Sequence, residues 1–234
     1  MKAIFAPGHL QSDLHLGETE GRRLEKFINL LAEYGVEASF PSSEDLETQI
    51  VNADLIIATT RRFDFSDSEL TTLVGAVKTG RSLLHLSNHR PFPLYDSPLA
   101  ERLGYKFKNR CFIDKNQKMP FEFAINLGAL PNCDSDSNIQ MNVSINNCSS
   151  IEVQDKRFNT ISVLPESCVR AGDGVAAVGE VFAIACEKSN ISGRIIAMGD
   201  SGLLGEPIAK FPGPGLEAGE NYAILCSITK WLVS

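Results

Sequence analysis

"DLIIATTRRFDFSDSELTTLVGAVKTGRSLLHLSNH", residues 54–89, reads as strand, helix, strand. Its first apolar run, Leu55 to Ala58, carries no polar interruption, the pattern of a strand covered on both faces. Ser66 and Glu69 then form an S-x-x-E capping box, Leu70, Leu73, Val74 and Val77 fall on one helical face, and Gly80 stands at the stop. "SLLHLS", residues 82–87, is a second apolar run. Two such strands joined by a helix imply a parallel β-α-β unit with a right-handed crossover.

The same alternation extends toward the N-terminus. "KAIFAP" (2–7) is a short strand, Leu24, Phe27, Ile28, Leu31 and Tyr34 keep helical spacing before Gly35, and "VEASF" (36–40) is another strand. Residues 105–190 differ. "FEFAIN", "NIQMNVSI", "TISVL" and "GEVFAIACE" recur between turn residues, and Asn, Asp and Ser crowd 132–150. "GRIIAMGDS" (193–201) returns to a parallel-type strand, and Ile224, Leu225, Ile228, Trp231 and Leu232 share one face of a closing helix. The expected fold is α/β: one domain over 1–234, a flavodoxin-like, doubly wound, mainly parallel sheet, with 105–190 as a β-rich antiparallel extension or edge. That extension is also a candidate dimer edge, because a paired and an exposed edge strand share one sequence pattern.

At 234 residues and 43% hydrophobic, the chain can bury a large core. Its net charge of −7, with no Lys/Arg block, argues against nucleic acid or an anionic membrane as partner. No apolar stretch approaches the roughly 20 residues that span a bilayer, and the first ten residues lack a signal-peptide pattern, so a cytoplasmic location is expected. The six cysteines are scattered without a CxxC pair and read as buried free thiols, with no metal site expected. "GPGLEAG" and "GDGVAAVG" have neither the third glycine nor the preceding strand of a dinucleotide fingerprint, and no Walker lysine follows them. No cofactor is expected.

In a parallel sheet, function gathers at the carboxyl ends of the strands. There the sequence places His9, then Thr60 and Arg61, then Ser87, Asn88 and His89, then Asp200 and Ser201, with Asn221 opening the last helix. Ser87 as nucleophile, His9 or His89 as base and Asp200 as orienting acid would make a serine hydrolase or carbohydrate-modifying enzyme. A nucleophile elbow, however, needs small residues two positions either side of the serine, and here His85 and His89 stand there. Pro91 and Pro93 also delay the helix that should follow. A loop-bonding Ser87 is the simpler reading, with His85 a hydrogen-bonded core residue. Arg61 and Arg62 bring positive charge to the rim, which suits a carboxylate-bearing or hydroxyl-rich ligand unless both are solvated.

Residues 54–89, together with "GRIIAMGDSGLLGE" and "ENYAILCSITKWL", resemble the class I glutamine amidotransferase-like superfamily, in particular its trehalose-utilisation (ThuA-like) and GIFT-type branches without amidotransferase activity. The resemblance implies that Ser87 stands near the position of the glutaminase cysteine. No cysteine precedes Arg110 and no histidine follows His89, so the resemblance implies that glutamine hydrolysis has been lost. What it leaves is a binding domain for a small molecule or a protein partner.

Overall fold

A computed structural model describes residues 1–7, 24–61, 63–116, 119–130, 140–190, 192–206 and 214–234. In chain order its first half comprises β1 (Lys2–Phe5), α1 (Glu25–Glu33), β2 (Glu37–Ser39), α2 (Leu46–Ile50), β3 (Leu55–Ala58), α3 (Asp67–Lys78), β4 (Ser82–Leu86) and α4 (Pro93–Leu103). The second half adds β5 (Tyr105–Asp114), β6 (Phe121–Asn126), β7 (Gln140–Ile145), β8 (Cys148–Val153), β9 (Asn159–Val163), β10 (Cys168–Arg170), β11 (Val181–Cys186), β12 (Ile195–Met198) and α5 (Asn221–Val233).

β3 and β4 are parallel neighbours, with Leu55 opposite Ser82 and Ala58 opposite His85. Parallel pairing continues to β12 on one side and to β1 and β2 on the other, giving the order β2-β1-β3-β4-β12. Helix α3 begins as its sequence dictates. Ser66 Oγ accepts from Glu69 N at 3.2 Å, while Glu69 Oε2 accepts from Ser66 N at 2.8 Å. Pro93 opens α4 at its first turn, where a missing N–H costs nothing, and Gly104 ends it in the left-handed region at φ 101°.

Beyond β12 the sheet is antiparallel through β11, β8, β5 and β10, with β9 on β11. The whole is therefore a mixed sheet rather than a mainly parallel one. The cause lies in the connections: residues 187–194 between β11 and β12 are too few for a parallel crossover, which takes about a dozen or more. Residues 105–190 prolong the sheet past β12, and from them the β6–β7 hairpin forms a separate two-stranded sheet.

Alternation along the strands sends side chains to two cores. Leu84, Leu86, Ile196 and Met198 join Phe27 and Leu31 of α1, Ile224 and Ile228 of α5, and Val143 and Ile145 of the hairpin. Leu83, Ile195 and Ala197 face the other way, with Leu70, Leu73 and Val77 of α3 and Leu99 and Leu103 of α4. Burying each such Leu or Ile contributes about 1.5–3 kcal/mol relative to exposure. Among the described residues no helix is long and apolar enough to cross a membrane.

Candidate functional site

The carboxyl ends of β3, β4 and β12 meet. Thr60 and Ser201 share a short hydrogen bond between their hydroxyls, and Asn88 Nδ2 donates to Ser201 Oγ at 3.3 Å. Asp200 Oδ1 accepts from Gly202 N at 2.8 Å, shaping the turn that follows β12. The turn begins at Gly199, where any Cβ would collide with Ser149 O; its bare backbone lets β8 approach, with Ser149 N donating to Gly199 O at 2.9 Å. His9 and Arg62 lie outside the described residues.

Ser87 sits beneath this rim with no exposed surface. Its Oγ donates to Asp96 Oδ2 at 2.6 Å, and Asp96 Oδ1 also accepts from Arg61 N at 3.2 Å. Asp96 thus ties the exits of β3 and β4 to α4. Burial pushes its carboxyl up to about 8, against the opposing pull of Ser87, Arg61 N and the Arg61 charge. The charged form is correspondingly disfavoured at this position.

His89 faces Asn88, whose Oδ1 lies 2.7 Å from both the backbone N and Nδ1 of His89. Burial holds its imidazole below the ordinary value, partly offset by a hydrogen bond to Asn147. His85 is in the core. Its Nδ1 lies 2.6 Å from Tyr105 Oη, Phe107 packs edge-on against the ring, and burial lowers its pKa to about 3. Nε2 of this neutral ring has no partner among the described residues.

Arg61 is neither solvated nor turned toward the rim. Only 3% exposed, its guanidinium donates to the carbonyls of Pro7, Phe63 (3.2 Å) and Asp64 (3.4 Å), pairs with Glu69 at 3.5 Å, and lies 3.7 Å over the Phe65 ring. Burial lowers its pKa, and the charges of Glu69 and Asp96 resist the change. Burial likewise pushes Glu69 up, but hydrogen bonds from Ser66 and Ser43 and the Arg61 charge outweigh it and leave the carboxylate below its usual value. The charge expected to attract a ligand instead locks the β3–α3 loop to the exit of β1. Asn221 is likewise committed to the fold. Its Oδ1 accepts from Ser144 N at 2.9 Å, and its Nδ2 donates to Ser144 O and Gly215 O at 2.8 and 2.9 Å, closing the edge of β7.

Asp96, Glu69, Tyr105 and Asn147 complete these networks and were not among the sequence candidates. One signal could have found Asp96: its i+3 and i+7 neighbours are Leu99 and Leu103, which places a lone carboxylate on the apolar face of a helix. Among the described residues no cluster of three His, Cys, Asp or Glu side chains is arranged to hold a metal ion.

No protein-family model matches the chain, and no curated protein matches its sequence. Solved structures do share the fold. The mmIFT52 N-terminal domain superimposes with a TM-score of 0.73 at 14% identity, over 100% of this chain and 98% of that one. A cytoplasmic protein of Salmonella typhimurium LT2 gives 0.59 at 10% identity, over 98% of both chains. A GMP synthase component from Thermoplasma acidophilum overlaps only loosely, at 0.47 and 11% identity over 98% of this chain and 93% of that one.

Proposed function

We propose that the chain is a non-catalytic class I glutamine amidotransferase-like domain, of the ThuA-like or GIFT-type branch and flavodoxin-like in its parallel half, that binds a small ligand or a protein partner at the strand-end rim. The observation that carries this reading is the Ser87–Asp96 hydrogen bond. A nucleophilic serine needs an imidazole or amine to take its proton and a path for substrate. The Ser87 hydroxyl instead donates to the buried Asp96 carboxyl, and the side chain has no exposed surface. The parallel order β2-β1-β3-β4-β12 is that of flavodoxin-like folds, which bind their ligands at these strand ends.

With Arg61 consumed internally, recognition at the rim falls to half-buried Asn88 and His89 and exposed Arg90. Amide, imidazole and guanidinium groups suit carbonyl and carboxylate acceptors, whether on a small acid or on a partner protein in the cytoplasm. The test is a melting-temperature screen with small acids and sugars on the wild type, Asn88→Ala and Asp200→Asn. A ligand-dependent rise that either substitution abolishes supports the rim. If changes within 133–150 abolish binding and the rim substitutions do not, the rim assignment is wrong.

A further inference from the structure

At the opposite end of the sheet from the rim, where β3 and β4 begin, lies a cleft of about 540 Å³. That volume is within the range of small-molecule sites. Lys78, Arg81, Lys188 and Arg194 line it, with Asp54 as the only Asp or Glu side chain among the described lining residues. A neighbouring cleft of about 400 Å³ shares Lys78 and adds Arg102 and Arg157. This concentration of cations belongs to a chain whose net charge is −7.

Helices end here, and helix C-termini attract cations of their own accord. That demand is already met. Arg81 Nη2 donates to Val51 O at 3.0 Å at the end of α2, and Arg194 Nη1 donates to Trp231 O at 2.6 Å in the last turn of α5 while its Nε pairs with Glu187 at 2.9 Å. The last carbonyls of α3 are taken by backbone donors: Thr79 N on Gly75 O, Arg81 N on Ala76 O, and Gly80 N and Gly193 N on Val77 O.

Lys78 and Lys188 are therefore surplus. Neither ammonium has a hydrogen-bond or carboxylate partner among the described residues, and both lysines line the same cleft. The Lys188 stem lies over Gly80, whose φ of 107° and missing side chain leave that space open.

We propose that this cleft is a second binding site, for a small phosphate monoester held by the Lys78 and Lys188 ammonium groups. Two point charges match the nearly doubly charged phosphate better than a single carboxylate, and lysine binds phosphate as a point charge without needing a bidentate fork. Ser82 and Asn190, also in the lining, offer a hydroxyl and an amide to the remainder of such a ligand. The site is independent of the rim.

The test is a backbone-amide NMR titration of the whole chain with inorganic phosphate, glucose 6-phosphate, glucose and a short poly-glutamate peptide. Saturable shifts at Gly80, Ser189 and Asn190 are expected with glucose 6-phosphate and not with glucose. In Lys78→Ala/Lys188→Ala the apparent Kd should rise about tenfold or more at an unchanged melting temperature, the loss expected when a phosphate gives up its cations. No saturable shift with either phosphate, unaltered binding in the double variant, or binding of the acidic peptide alone would each overturn the proposal.

Discussion

Ser87 donates a 2.6 Å hydrogen bond to Asp96, and neither side chain has exposed surface. The pair joins the exit of β4 to the first turns of α4, so it acts on stability before anything else. Ser87→Ala removes one bond and leaves Asp96 with that of Arg61 N; the cost should be about 1 kcal/mol. Asp96→Ala orphans both the Ser87 hydroxyl and the Arg61 amide and should cost about 2–4 kcal/mol. Urea unfolding of the two variants gives both values, and their order is the prediction.

The pH dependence follows from two buried groups with opposite signs. Asp96, raised to about 8, favours the folded state when protonated; its contribution is complete below the unfolded value of 3.8 and is lost as pH rises through about 8. His85, lowered to about 3, favours the folded state when neutral; its contribution is complete above 6.5 and is lost as pH falls through about 3. Between about pH 4 and 6.5 the two slopes cancel, whereas from about 6.5 to 8 Asp96 acts alone and should remove about 2 kcal/mol. Unfolding free energies across this interval should fall in the wild type, and Asp96→Asn should abolish the Asp96 share of that fall.

The Arg61–Glu69 pair predicts a loss larger than any helix cap supplies. Glu69→Ala strips a buried guanidinium of its carboxylate and should cost about 3–5 kcal/mol. Ser66→Ala breaks the same capping box but leaves the ion pair, and should cost about 1 kcal/mol. Equal losses in urea unfolding would show that the cap alone matters.

Asn221 holds the hairpin through three bonds to Ser144 and Gly215. Asn221→Ala should cost about 2 kcal/mol or more, because buried backbone groups of β7 lose their partners. Hydrogen exchange at the Ser144 amide should accelerate more than at residues of β3 or β4.

These residues also show how far the sequence could be read. The β3-α3-β4 unit was legible because its signals are local: an apolar run, a capping box and a stop glycine, all between Asp54 and His89. The convergence of Thr60, Asn88 and Ser201 followed from the strand-end rule. Arg61 was not legible as a structural residue, since one of its partners, the Pro7 carbonyl, lies 54 positions away. The antiparallel extension over 105–190 was legible as such, but the order in which its strands join the sheet was not, because Asn- and Ser-rich turns specify a hairpin without saying which strand its outer edge will join.

The chemistry of Ser87 decides most directly between a binding domain and a hydrolase. Intact-mass spectrometry of the native chain after incubation with a fluorophosphonate serine probe, with Ser87→Ala alongside, reads it in one measurement. A hydroxyl buried against Asp96 should leave both masses unchanged. A single adduct on the wild type that maps to Ser87 and is absent from Ser87→Ala would show an activated, accessible nucleophile, and the non-catalytic reading would fall.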